Sequence, residues 1–177
     1  ILNAGGVIIY PTDTVYGFGC SVYNKDAIER IYRLRQQHRT KPFSFICSDL
    51  NHISEYAKVS NAAFCLIKQL IPGPFTFILP ASRMKQLPKS MISKRKSVGI
   101  RVPNNAISLA LVKELGHPIL NASLTDEGGE IISDPELIRM RYDKHVDLIL
   151  DGGLSLKEYS TILDLTGWSS CGRERAT

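Results

Sequence analysis

The sequence predicts a single α/β (α+β) domain, spanning residues 1–177, with a mixed β-sheet and flanking helices. Its 177 residues are 44% hydrophobic and 22% charged, which fits one globular domain with its own core. Short β-rich runs alternate with helical ones along the whole chain. Several connections between strand candidates are too short for parallel crossovers, so we also expect antiparallel pairs.

The strand candidates are short runs rich in Val, Ile, Phe and Thr, each bounded by Gly, Pro, Asn or Asp. They cover residues 6–10, 43–47, 75–80, 97–102, 118–122, 146–150 and 160–165. Seven such runs are enough for one sheet of ordinary size.

The helix candidates begin after side chains that can accept a backbone N–H. These N-cap residues are Asn24, Ser60, Asn104 or Asn105, and Asp134. Pro135 stands at the first helical position after Asp134, where proline is favoured. Pro-Gly-Pro at 72–74 ends the second helix, and Gly116 ends the third as a C′ glycine.

The formal charge of +5 favours an anionic partner, a nucleotide or a nucleic acid. Lys and Arg concentrate in two runs, residues 30–41 and 83–96. Each run by itself also fits an ordinary solvated helix face, so both interpretations stay open.

The remaining bulk features predict a cytoplasmic protein without a membrane partner. No run approaches the length of a membrane span, and the first residues lack the features of a signal peptide. The four cysteines are too widely scattered for a metal or redox motif, and we expect reduced thiols. Cys47 and Cys65 lie in apolar runs and are expected in the core.

The stretch from Ile8 to Cys20 is the first candidate for a functional site. An apolar strand runs into Pro-Thr-Asp-Thr, which leaves hydroxyls and a carboxylate at its tip, where sites form in α/β folds. Gly17 and Gly19 allow a ligand or another backbone to approach closely. A turn held by its own side chains explains the same residues equally simply.

Two later segments are also candidates. Asn121 and Ser123 follow a strand in ILNASL and could bind a phosphate, a sugar or a carboxylate, or simply form a local turn. Residues 125–135 after them are a polar loop and a candidate lid. Arg101 lies within an apolar strand and must therefore meet a ligand carboxylate or an internal partner.

Common catalytic motifs are absent from the sequence. It lacks a Walker loop, GxGxxG, HExxH and GxSxG, and its four His show no ligand spacing. These absences disfavour a metal hydrolase, a P-loop kinase and a serine hydrolase. We assign no catalytic residue and no protein metal site.

Five segments together resemble the YrdC/YciO family across nearly the whole chain. They are GGVIIYPTDTVYGFGC, KPFSFIC, PGPFTFIL, VGIRVP and STILDLTG. The resemblance implies a twisted sheet with a basic concave face. It also implies an activity like that of threonylcarbamoyl-AMP synthases, which act in tRNA modification. These use L-threonine, bicarbonate and ATP with magnesium. The family is also described as binding double-stranded RNA, so tRNA or double-stranded RNA is an expected partner.

The resemblance also assigns site residues. Those implied for threonine are Thr12, Tyr16, Lys41, Arg101, Asn121 and Ser160. Those implied for the nucleotide are Arg35, Gln37, Thr76, Ser123, Ser133 and Arg173.

Two residue pairs depart from the synthase pattern. Arg35 and Gln37 stand where the synthases carry Lys-x-Arg, so one positive charge toward ATP is lost. Asn121 and Ser123 stand in the reverse order of the synthase Ser-x-Asn pair. These departures resemble the YciO branch. The alternative prediction is therefore a divergent nucleotide- or RNA-binding protein without full synthase activity.

Overall fold

The computed structural model describes residues 1–35, 43–82, 87, 89, 92–94, 96–126 and 128–168. Within these residues, eight strands form a mixed sheet accompanied by five α-helices. The predicted α/β class is therefore confirmed. None of the described helices is long and apolar enough to cross a membrane.

The strands follow the sequence expectation with small differences in their bounds. They are β1 (Ile8–Tyr10), β2 (Gly17–Gly19), β3 (Ser44–Ile46), β4 (Phe75–Pro80), β5 (Ser97–Arg101), β6 (Ile119–Ser123), β7 (Leu148–Ile149) and β8 (Thr161–Asp164). The helices are α1 (Lys25–Leu34), α2 (Leu50–Tyr56), α3 (Asn61–Leu70), α4 (Ala106–Leu115) and α5 (Pro135–Tyr142).

The strand order across the sheet is β7-β1-β2-β6-β3-β5-β4-β8. The pairs β1·β7, β3·β5 and β4·β8 are parallel, and the other four are antiparallel. The expected mixture of parallel and antiparallel pairs is therefore confirmed. Because β7 and β8 lie at opposite edges, the chain between them has to cross the whole sheet.

The predicted N-caps are present, and Asn105 rather than Asn104 caps α4. Each capping side chain accepts a backbone N–H from two or three residues further on; the residues are Asn24, Ser60, Asn105 and Asp134. Gly116 ends α4 in the left-handed region, with φ of +75°.

One α-helix and one strand were missed from sequence, as was the 3-10 helix Leu2–Ala4. Helix α2 begins after Asp49, whose carboxylate accepts the N–H of His52, but its seven residues show too little periodicity to predict it. Strand β2 is three residues long and contains two glycines, which have low strand propensity. It forms because its backbone pairs with β1 and β6 on both sides.

The two faces of the sheet pack against different apolar clusters and different helices. One face packs against the large apolar cluster, to which α1, α2, α3 and α5 contribute, for example through Ile31, Ile53, Ile67 and Ile138. On the other face, a smaller cluster joins Ile8, Tyr10, Ile46 and Ile119 to Val112 of α4. Of the five described α-helices, α4 alone contributes to this second cluster, which also includes Leu2 of a short 3-10 helix at Leu2–Ala4.

The cysteine expectations are confirmed only in part. Cys47 is buried as predicted, but Cys65 is exposed on α3, so its assignment to the core was wrong. The apolar neighbours of Cys65 in sequence are distributed around the helix, and Cys65 itself falls on the solvent side.

Candidate functional site

The sheet face on which α4 lies carries small and polar residues beside the smaller apolar cluster. Because side chains alternate between faces and the registers align the strands, one set of residues shares this side. We call it the polar face; it comprises Gly17, Ser44, Thr76, Gly99, Arg101, Asn121 and Ser123. Such a surface offers donors and acceptors in place of apolar packing, as a ligand site requires.

Asn121 is the centre of a buried hydrogen-bond network on the polar face. Its Oδ1 accepts from the hydroxyl of Tyr10 at 3.1 Å, and its Nδ2 donates to Ser44 Oγ at 3.4 Å. A Cβ on Gly17 would lie 2.6 Å from Asn121 Oδ1, so glycine is required there for this packing. Asn121 is thus held within the protein, whereas Ser123 is half-buried at the end of β6.

Residues Thr12 to Val15 form a turn held by its own side chains. Thr12 Oγ1 donates to the carbonyl of Val15 at 2.7 Å and accepts the N–H of Thr14 at 3.1 Å. The Thr12 and Thr14 hydroxyls are also 3.1 Å apart. The Thr12 hydroxyl therefore holds the turn together, which is the simpler of the two interpretations of this stretch. A contact between Thr12 and bound threonine stays a prediction.

Arg101 has an internal partner in the same turn. Its Nη2 donates to Asp13 Oδ1 at 2.6 Å and to Thr14 Oγ1 at 3.1 Å. The two side chains of the ion pair are only 3% and 9% exposed. Burial lowers the pKa of Arg101, and the nearby Asp13 carboxylate acts in the opposite direction. The internal salt bridge, one of the two alternatives left open from sequence, is therefore present.

Arg101 also keeps a donor without a partner. Its Nε is fully buried and meets no hydrogen-bond acceptor in the described part of the structure. An unsatisfied buried donor costs about 1–3 kcal/mol, so it is a place where a ligand acceptor would be stabilising. Arg101 is the one cation among the described strand residues on this face, and Asp13 offsets its charge. The basic character expected of the face therefore does not come from these strand residues.

Thr76 and Ser160 lie together, although 84 residues separate them in sequence. Their hydroxyls are 2.7 Å apart, with Thr76 on β4 and Ser160 just before β8. The parallel pairing of β4 and β8 produces this contact, since Phe75 is in register with Thr161. The residue implied for the nucleotide and the one implied for threonine are thus direct neighbours.

The chain from β7 to β8, residues 150–160, forms a strap across the site. At about 4.8 Å per strand the sheet is about 34 Å wide, and eleven extended residues reach about 40 Å. Most of the strap is exposed, including Leu154 at 79% and Leu156 at 60%.

Three of the predicted residues hold the strap in place. The Tyr16 hydroxyl accepts the N–H of Gly152 at 2.8 Å and donates to the Gly153 carbonyl at 2.7 Å. The carbonyl of Ser133 accepts the N–H of Ser155, and Ser160 bonds Thr76 at the far end. Burial raises the pKa of Tyr16, and the Gly152 N–H partly offsets that increase.

Arg35, at the end of α1, is largely buried against aromatic rings. Its guanidinium lies 5.5 Å from the centre of the Phe43 ring, a cation–π distance. Burial lowers its pKa, and Tyr159 of the strap is close enough to act in the opposite direction. Gln37, Lys41 and Arg173 lie outside the described residues.

The sequence interpretation missed several residues of the site. Asp13 was noticed in the first motif but received no role, and Tyr10 and Ser44 were assigned only to strands. A usable signal for the Asp13–Arg101 pair was present in the sequence. The first motif has an acidic residue between two threonines, and one predicted strand contains a lone arginine. Nothing local marks Ser44, because its place beside Asn121 depends on strand register.

The described residues include no group of three His, Cys, Asp or Glu close enough to hold a metal ion. The buried thiols are poor nucleophiles. Burial raises the pKa of Cys20 to about 12 and that of Cys47 well above its usual value, so both are protonated at neutral pH. The site's described chemistry is therefore that of hydroxyl, amide and guanidinium groups and of the Asp13 carboxylate.

Comparison with known proteins places this chain in a family. The family model described as "Sua5_yciO_yrdC: Telomere recombination" matches residues 1–173. The YciO protein of Escherichia coli is 45% identical over 168 residues, covering 94% of this chain and 81% of that protein. Its crystal structure superimposes with a TM-score of 0.87.

Two further relatives carry names that describe an activity or a ligand. A threonylcarbamoyl-AMP synthase of Coxiella burnetii is 30% identical over 154 residues, covering 86% of this chain and 82% of the synthase. P. abyssi Sua5, crystallised with L-threonine, is 27% identical with a TM-score of 0.86, and the match covers 94% of this chain and 49% of Sua5. From the family match and these identities, the chain belongs to the Sua5/YciO/YrdC family.

Proposed function

We propose that this protein binds L-threonine and ATP at the polar face and forms threonylcarbamoyl-AMP from them and bicarbonate. The 30% identity to a threonylcarbamoyl-AMP synthase supports this reaction. The structure of P. abyssi Sua5 with L-threonine supports the amino acid as a ligand. Action in tRNA modification and a cytoplasmic location are part of the same proposal.

The unpartnered donor of Arg101 is the observation that carries the threonine part. Nη2 is already bonded to Asp13 and Thr14, whereas Nε is buried without an acceptor. A threonine carboxylate that accepts from Nε would satisfy this donor in a charge-assisted bond. The other groups we assign to the amino acid are Thr12, Tyr16, Lys41, Asn121 and Ser160.

For the nucleotide we assign Arg35, Thr76, Ser123 and Ser133, together with Gln37 and Arg173. Since no group of three acidic, His or Cys side chains in the described residues could hold a metal ion, magnesium would arrive on the triphosphate. Mg²⁺ commonly keeps several waters and binds through substrate phosphates, so these residues fit that arrangement.

The proposed chemistry needs no protein nucleophile. The threonine amine attacks bicarbonate, and loss of water leaves an N-carboxylated threonine. A carboxylate oxygen of this carbamate then attacks the α-phosphorus of ATP, and pyrophosphate leaves. The protein contributes by holding the three reactants together and by offsetting the charge that develops on the phosphate oxygens.

The decisive experiment combines calorimetry with a pyrophosphate-release assay. We expect saturable binding of L-threonine and of MgATP, and pyrophosphate release that requires both threonine and bicarbonate. Replacing Arg101 by Lys keeps the charge but not the guanidinium geometry and should weaken threonine binding by about tenfold or more. Lys68→Ala, an exposed lysine on α3, is the matched control. Release that does not depend on threonine would contradict the proposal.

A second candidate is a YciO-type protein that binds a nucleotide or RNA without full synthase activity. The 45% identity to YciO favours it, and so does Asn121, whose amide is bonded to Tyr10 and Ser44. Binding of ATP without any effect of threonine would support this candidate. For double-stranded RNA, the logarithm of the affinity should fall with that of salt concentration by about 0.7 to 0.9 per phosphate contact.

A further inference from the structure

We infer that Asp13 determines the charge selectivity of the site, so that Arg101 receives a zwitterionic amino acid in preference to a simple anion. This inference rests on the proposed function, because it takes Arg101 as the group that meets the ligand carboxylate. It assigns a specificity role to a residue for which neither the family resemblance nor the motif analysis provides one.

The geometry makes Asp13 a fixed part of the site. Oδ1 accepts from Arg101 Nη2 at 2.6 Å, and Oδ2 accepts the backbone N–H of Asn104 at 2.9 Å. One carboxylate thereby joins the first turn to both the end of β5 and the chain just before α4. Since both oxygens are engaged, the carboxylate cannot swing away when a ligand enters.

The same contacts fix the guanidinium. Nη2 has two acceptors, Asp13 Oδ1 and Thr14 Oγ1. A guanidinium is planar, so holding one nitrogen fixes the direction in which the others donate. The unpartnered Nε is therefore presented at one orientation, next to a negative charge that stays in place.

This arrangement has a consequence for ligand charge. Arg101 and Asp13 together carry no net charge, and both are almost completely buried. A ligand with a carboxylate alone gains from the guanidinium but is repelled by the Asp13 carboxylate beside it. A ligand that also carries an ammonium group gains from both charges, since charges within a few ångström of each other interact strongly when little water intervenes.

Two probes of nearly the same shape test this selectivity. L-Threonine carries the ammonium group, and 3-hydroxybutyrate is the same acid without it. By calorimetry, wild type should prefer threonine by about tenfold or more, as expected for a neighbouring charge worth one pKa unit or more. Asp13→Asn should reduce that preference by a similar factor, and Asp13→Glu, which keeps the charge, should retain it. A folded Asp13→Asn protein with the wild-type preference, or a wild type without any preference between the probes, would overturn the inference.

An acetate titration tests the role of Asp13 as the counter-charge of Arg101 without using threonine. Asp13→Asn leaves a buried guanidinium without a counter-charge, so acetate should raise its melting temperature but not that of wild type. The double variant Asp13→Asn/Arg101→Gln, which lacks both charges, should not respond. Failure of wild type to bind threonine would refute the proposed function, while the acetate result would still decide the role of Asp13. The inference fails if acetate does not stabilise Asp13→Asn. It also fails if the double variant folds but Asp13→Asn does not fold under either condition, with acetate or without it.

Discussion

The first turn and the strap bound the same site, but different forces hold them. In the turn, Thr12, Asp13 and Thr14 are engaged in buried hydrogen bonds or an ion pair. In the strap, long apolar side chains face solvent. Hydrogen bonds to Tyr16 and Ser133 hold its backbone, and a bond from Thr76 holds the side chain of Ser160. The turn therefore supplies fixed geometry, whereas the strap has little local stability of its own and is the part best able to open.

The largest expected effect is the loss of Arg101. Replacing Arg101 by Gln leaves the Asp13 carboxylate buried without its cation, which should cost about 3–5 kcal/mol in the free energy of unfolding. Urea denaturation measures this loss. Arg139→Ala removes an exposed arginine that lies 3.7 Å from Asp151 and should cost no more than about 1 kcal/mol. Equal losses in the two variants would contradict the contrast between turn and strap.

The second-largest loss of stability is expected from removing the hydroxyl of Thr12. Thr12→Val keeps the shape but removes one donor and one acceptor, leaving the Thr14 N–H and the Val15 carbonyl unpaired in a buried turn. We expect a loss of about 1–3 kcal/mol by the same denaturation assay. Thr161→Val, at an exposed position on β8, should change stability by less than about 0.5 kcal/mol. A Thr12→Val protein as stable as wild type would show that the turn does not need its side-chain bonds.

The Tyr16 hydroxyl should have a small global effect and a clear local one. Tyr16→Phe removes two hydrogen bonds to the strap and should cost about 1 kcal/mol. Hydrogen–deuterium exchange should quicken at residues 151–156 and stay unchanged in the 12–15 turn. Thr161→Val, at an exposed position on β8 outside the strap, is the control. Faster exchange in the turn instead of the strap would contradict the conclusion that the strap is the less stable of the two segments.

The smallest effect should come from the apolar side chains of the strap. Leu156→Ser replaces a residue that is 60% exposed, so the free energy of unfolding should change by no more than about 0.5 kcal/mol. A loss above about 1.5 kcal/mol would mean that the strap packs more firmly than its exposure indicates. The buried Leu124→Ser offers the matched comparison and should lose several times as much.

Local features of the sequence were good predictors where the physics is local. A capping side chain needs only the next three residues, so the caps Asn24, Ser60 and Asp134 follow from the sequence alone. Helix α2 and strand β2 do not, because one is short and the other depends on neighbours on both sides. Cys65 was misplaced for a related reason, since an apolar run does not reveal which of its members faces the core.

The family motifs, the elements with strong caps and the need of Arg101 for a partner can all be read from the order of the residues alone. Burying a guanidinium in an apolar strand is too costly to go uncompensated, whatever the fold. Which partner it takes was decided only by the tertiary structure, because Asp13 is 88 residues away and reaches Arg101 through the folding of the sheet. The path of the strap also depends on the tertiary structure. The strand order places β7 and β8 at opposite edges of the sheet, so the chain between them crosses the site.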